Sequence, residues 1–142
     1  MRGPAAGAVL PITSDMEMAA VRQAVRESAI RIGMSLVEQT KLITAASELA
    51  RNTLVHGGGG RVEIVEVERH GRRGVRLTFA DEGPGIADVA RALSDGYSSA
   101  GGLGMGLGGT RRLVDDFTID TEPGRGTTVT AVLWSVRPAG PG

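Results

Sequence analysis

Apolar positions along this chain recur with two distinct periods. Val21, Val25, Ala29 and Ile32 fall at helical spacing, and Ser14 followed by Glu17 is the capping-box signature that opens such a helix. Gly33 closes it. Ser35 followed by Glu38 repeats the signature and opens a second helix, with Leu36, Ile43, Ala50 and Leu54 on its apolar face. It runs to about His56, where Gly57-Gly58-Gly59-Gly60 stops it. From Arg61 the period becomes two. Residues 61–69 and 74–80 read as strands joined by His70-Gly71-Arg72-Arg73, and Val75, Leu77 and Phe79 alternate cleanly. Val62 and Ile64 are out of phase with Val65 and Val67, which a bulge or two-sided burial would explain equally well.

The remaining elements follow the same logic. Residues 8–13 read as a strand whose Pro11 argues for an edge position. A short helical stretch, 86–94, follows Asp81-Glu82-Gly83-Pro84-Gly85. A polar, glycine-rich segment (94–109) comes next, then a helix of about ten residues ending near Asp116. Phe117–Thr121 and Thr127–Ser135 form a final hairpin across Glu122-Pro123-Gly124-Arg125-Gly126, and the tail 136–142 is expected to fray. This order predicts a single α/β domain, residues 1–142 with a core of about 8–135. A mixed sheet carries its helices on one face as a two-layer sandwich. A doubly wound dinucleotide fold would alternate strand and helix throughout, and this chain does not.

Composition narrows the function. At 142 residues with 41% hydrophobic and 23% charged, the chain can bury one core. Sixteen basic residues balance sixteen acidic ones, so bulk charge draws it neither to nucleic acid nor to an anionic membrane. Cysteine is absent, which excludes disulfides, thiolate catalysis and cysteine zinc sites, and two histidines are too few for a histidine-rich metal site. The apolar run from Ala5 to Ile12 is too short to span a bilayer and lacks a signal-peptide pattern, so a cytoplasmic protein is expected.

Three segments carry candidate chemistry. Thr44, Glu48, Asn52 and His56 are spaced by four and share one helix face. That face is either a solvated stripe or a set of groups able to hold a hydrated metal and activate a hydroxyl. Asp81-x-Gly83-x-Gly85 leaves a strand end. It is either an ordinary turn or a carboxylate placed to accept from an exocyclic amine, with glycines that let backbone approach a flat ring. Gly101-Gly102-Leu103-Gly104-Met105-Gly106-Leu107-Gly108-Gly109 enters a helix, as a flexible linker or as an anion cradle of free amides; no Gly-Lys-Ser/Thr follows, so it is not a Walker A loop.

Taken in order, Glu48-x-x-x-Asn52, Asp81-x-Gly83-x-Gly85, Gly102-x-Gly104-x-Gly106 and Gly124-x-Gly126-Thr127 resemble the GHKL (Bergerat-fold) ATP-binding domains over about residues 8–135. That fold is a two-layer α/β sandwich with a mostly antiparallel sheet and an ATP lid. The stretches 48–52, 81–86, 95–99, 101–104 and 122–129 are similar to the anti-sigma regulatory branch, and within it to the RsbT-type switch kinases of the stressosome. Met105 stands where that family usually has leucine, and Gly109 precedes Thr110 where it often has Pro-Gly, which would loosen the start of the following helix.

The resemblance implies ATP and Mg²⁺ as cofactors, with Asn52 as metal ligand and Glu48 as general base. It implies that Asp81 reads the adenine amine, that Gly83 and Gly85 lie close to the base, and that Thr127 supports Asp81 directly or through a water. Residues 87–101 would form the lid, and Gly102, Leu103, Gly104, Met105 and Gly106 would hold phosphate. His56, Arg111 and Arg112 are left between phosphate or partner contact and plain structural or solvated roles. The implied activity is serine/threonine phosphorylation of small STAS-domain proteins, with a PP2C-type phosphatase or other regulator downstream. The alternatives are an anti-sigma factor with kinase activity and a non-catalytic, nucleotide-gated binding module. A homodimer is allowed, because related anti-sigma kinases pair, though no apolar stripe compels it.

Overall fold

The computed structural model describes residues 7–86, Leu93 and 106–138. In chain order these are β1 (Ala8–Ile12), α1 (Asp15–Arg31), α2 (Leu36–Val55), β2 (Gly60–Arg69), β3 (Arg72–Asp81), α3 (Gly106–Leu113), β4 (Asp116–Glu122) and β5 (Gly126–Pro138). The expected helix at 86–94 falls almost wholly outside the described residues.

Both capping boxes form. Glu17 accepts from the Thr13 hydroxyl and the Ser14 amide, and Glu38 accepts from the Ser35 amide while its own amide donates to Ser35 Oγ. Glu38 does more than cap. Its second oxygen takes the Val136 amide at 2.7 Å, which ties the start of α2 to the end of β5. Burial on its own raises the Glu38 carboxyl, but the hydrogen bonds from Ser35, Val136 and Ser135 outweigh it and hold the group below the ordinary glutamate value. The same tie, together with the Arg72 guanidinium on Ser135 O, carries β5 through 136–138, where fraying was expected.

The sheet order is β1-β2-β3-β5-β4 and every pairing is antiparallel, which corrects the expected mixed sheet. The physical reason is an insertion: β3 and β4 run the same way, but β5 lies between them and is antiparallel to both. Pro11 does sit on an edge strand. The β2–β3 hairpin turns in two residues, His70 and Gly71, both at positive φ, a tighter turn than the four residues expected. Its ladder has no slip, so the phase change in β2 is two-sided burial: Val62 and Ile64 enter the core, while Val65 and Val67 are half-buried on the opposite face. The irregularity lies instead between β3 and β5 at Arg72/Gly74, where Trp134 lies across Gly74 and under the Arg69 guanidinium, 4.8 Å from its ring centre.

One core fills the space between helices and sheet. Val21, Val25 and Ala29 of α1 and Leu42, Ala46, Leu49 and Ala50 of α2 meet Val62, Ile64, Val75, Leu77, Phe79, Val129, Ala131 and Leu133. The valine, leucine, isoleucine and phenylalanine side chains each contribute about 1.5–3 kcal/mol on full burial, and the alanines less. Leu107 of α3 joins the same core. Among the described residues no helix is long and apolar enough to cross a membrane.

Candidate functional site

The site is built where the end of α2 meets one end of the sheet. Strand register sets its floor. Asp81 of β3 lies opposite Thr127 of β5, and Thr127 lies opposite Thr121 of β4, so the three side chains form one row. Asp81 Oδ1 accepts the Gly83 amide at 2.9 Å and the Thr127 amide at 3.2 Å. Its Oδ2 accepts no hydrogen bond among the described residues. Asp81 is half-buried and Thr127 is 9% exposed.

Close backbone approach explains the glycines around this carboxylate. A Cβ at Gly57, the first residue past the α2 cap, would fall 2.3 Å from Asp81 Cγ, and one at Gly83 would fall 2.7 Å from Gly57 Cα. Gly126 adopts φ 98°, and a Cβ there would stand 2.1 Å from Asp81 O. Gly85, at φ 78°, packs against Glu122 O, and the Gly124 amide donates to Pro84 O, so the 81–86 turn is fastened to the β4–β5 turn. Gly57 and Gly126 are thus part of the site's frame. Sequence reasoning read Gly57 only as a helix stop.

On α2, Thr44, Glu48 and Asn52 are half-buried and His56 is exposed, so most of the stripe is more than a solvated face. The Glu48 and Asn52 side chains make no hydrogen bond among the described residues. Asn52 O instead accepts the amides of His56 and Gly57, which closes the helix directly above Asp81. The His56 backbone forms the C-cap of α2. No cluster of three or more His, Cys, Asp or Glu able to hold a metal occurs among the described residues. A carboxylate and an amide one turn apart fit Mg²⁺, which takes one or two protein oxygens and fills its shell with phosphate and water.

Gly102, Leu103, Gly104, Met105 and the expected lid, 87–101, lie outside the described residues apart from Leu93, which packs against the core. Gly106 opens α3 at φ 70°. Thr110, which follows Gly109, is fully buried and bonds back to Gly106 O, and α3 packs on α2. It ends at Leu113 rather than near Asp116, because Asp116 already pairs with Val132. Arg111 and Arg112 are both exposed on its last turn.

Comparison with known proteins gives a consistent result. Residues 11–133 match the family described as Histidine kinase-like ATPase domain. The chain is 39% identical over 123 residues to the serine/threonine-protein kinase RsbT of Bacillus subtilis, covering 87% of this chain and 92% of that one. It is 37% identical over 100 residues to the anti-sigma F factor of Bacillus licheniformis, covering 65% and 66% of the two chains. The crystal structure of the RsbU and RsbW domains of a Mycobacterium tuberculosis protein superposes with a TM-score of 0.66 at 23% identity. That match covers 97% of this chain and 35% of the other, and it shows the shared fold.

Proposed function

The chain belongs to the histidine kinase-like ATPase domain family, and from that premise we propose that it is an ATP-dependent serine/threonine protein kinase of a partner-switching module. The observation that carries the nucleotide reading is Asp81. Two backbone amides fix one carboxylate oxygen, and the other has no partner among the described residues, as expected of an acceptor kept for an exocyclic amine. Asn52 would hold Mg²⁺, which when bound neutralises charge on the phosphates. Glu48, one turn earlier, would take the proton of the acceptor hydroxyl. Gly83 and Gly85 would lie beside the base, Thr127 would support Asp81, and Gly102, Leu103, Gly104, Met105 and Gly106 would hold phosphate ahead of α3.

Small STAS-domain proteins are the acceptors proposed, with a PP2C-type phosphatase or other regulator downstream, in the cytoplasm. The family match over residues 11–133 supports a single kinase domain. Kinship with anti-sigma F factors favours one second reading, a kinase that also sequesters a sigma factor. The test is transfer of label from ATP, with Mg²⁺, to STAS-domain proteins encoded beside this gene. Labelled serine or threonine that disappears in Glu48→Gln, while ATP binding persists, is the expected result. Wild-type transfer by Glu48→Gln would remove Glu48 from the base role. ATP binding without any labelled acceptor would move the weight to sigma-factor sequestration, which a sigma-factor pull-down decides.

A further inference from the structure

Thr121, on the edge strand β4, completes the row Asp81–Thr127–Thr121, and its hydroxyl oxygen has three neighbours at hydrogen-bond distance. The Ile86 amide lies 2.9 Å away, Gly126 O 3.1 Å and Thr127 Oγ1 2.9 Å. A hydroxyl carries one proton and two lone pairs. An amide can only donate and a carbonyl can only accept. One assignment therefore satisfies all three contacts: Thr121 donates to Gly126 O and accepts from both the Ile86 amide and the Thr127 hydroxyl. The reverse polarity, Thr121 donating to Thr127, leaves its contact with Gly126 O without a proton.

We infer that Thr121 is a positioning residue that fixes the Thr127 hydroxyl proton inward, so that Thr127 faces a bound purine only as an acceptor and selects a 6-amino over a 6-oxo base. The inference rests on the nucleotide reading of Asp81. Thr127 Oγ1, stripped of its outward proton, and the Asp81 carboxylate, whose Oδ1 takes the Thr127 amide, then offer only acceptors to a base at this end of the sheet. An amino group donates to such a wall, directly or through a water. A 6-oxo group meets it lone pair to lone pair.

Inosine triphosphate is the probe, because it replaces the 6-amino group of ATP by an oxo group. The unsubstituted protein is expected to prefer ATP. In Thr121→Val the Thr127 proton is released and can turn to an oxo group, so the ATP:ITP affinity ratio falls by about tenfold, the equivalent of one redirected hydrogen bond. Thr121→Ser keeps the ratio. In a Thr127→Val background, adding Thr121→Val leaves the ratio where it was. A structural role alone would weaken both nucleotides in parallel, and an unchanged ratio in Thr121→Val overturns the inference. Proton NMR of the unsubstituted protein gives a reading that needs no variant. A slowly exchanging Thr127 hydroxyl proton with a cross-peak to the Thr121 methyl is expected, and a Thr121 proton directed at Thr127 overturns it. Failure of the unsubstituted protein to bind either nucleotide would bring down the reading of Asp81 as well. ATP binding with an unmoved ratio brings down this inference alone.

Discussion

Replacing Asp81 by asparagine separates what its carboxylate does for the fold from what it does for a ligand. Asparagine keeps the shape, and its amide oxygen can still accept the Gly83 and Thr127 amides. Those two bonds lose their charge assistance. A bond to a charged group contributes about 1.5–3 kcal/mol and a neutral one about 0.5–1.5, so half-exposed Asp81 would lose about 1 kcal/mol of stability in all. For a domain of this length that is a fall of about 4 °C in Tm. The Oδ2 position suffers more. An amide nitrogen there turns an acceptor into a donor facing the adenine amine, costing about 3 kcal/mol, or roughly a hundredfold in Kd. Titration calorimetry with Mg·ATP and a thermal melt on the same preparation measure both quantities. Binding within about threefold of the unsubstituted protein would refute the assignment of Asp81 to the amine. A loss of more than about 10 °C would show that the carboxylate mainly holds the turn together.

Three further outcomes follow from the geometry. Gly126→Ala, with its Cβ 2.1 Å from Asp81 O and φ at 98°, should cost about 3 kcal/mol or more in chemical denaturation. Gly124→Ala, at φ 80° with open space around it, should cost only about 1 kcal/mol, and equal losses would contradict the packing account. Gly57→Ala should displace the Asp81 side chain and weaken ATP binding by at least about tenfold while the far-UV spectrum stays native; unchanged affinity would mean that the helix end does not hold the carboxylate. Because the folded Glu38 carboxyl lies below its ordinary value, its contribution is full above the unfolded pKa, about 4.3, and is lost as pH falls through the folded pKa. Urea melts of Glu38→Gln should therefore be flatter than those of the parent below about pH 5, and parallel curves would place the acid sensitivity elsewhere.

Local chemistry was legible in the chain. Ser14/Glu17 and Ser35/Glu38 marked helix starts because capping acts within four residues, and Gly33 and the 57–60 run marked helix stops for the same reason. Alternation in β3 identified Val75, Leu77 and Phe79 as core, since a half-buried strand must repeat every two residues. The ordered motifs Glu48-x-x-x-Asn52, Asp81-x-Gly83-x-Gly85, Gly102-x-Gly104-x-Gly106 and Gly124-x-Gly126-Thr127 pointed to the family that the comparison with relatives establishes. Partners far apart in sequence were beyond that kind of inference. Nothing near Glu38 announces Val136, 98 residues away, and nothing in the order of elements places β5 between β3 and β4. That insertion makes the sheet wholly antiparallel and sets Asp81, Thr127 and Thr121 in one row. The sequence by itself determined where helices start and stop and which residue types are available for chemistry, because residue type and short-range spacing are properties of a local stretch of chain. Only the tertiary structure decided that Gly57 and Gly126 frame the carboxylate and that Thr121 touches Thr127, because strand register and close backbone approach arise only when distant segments share one core.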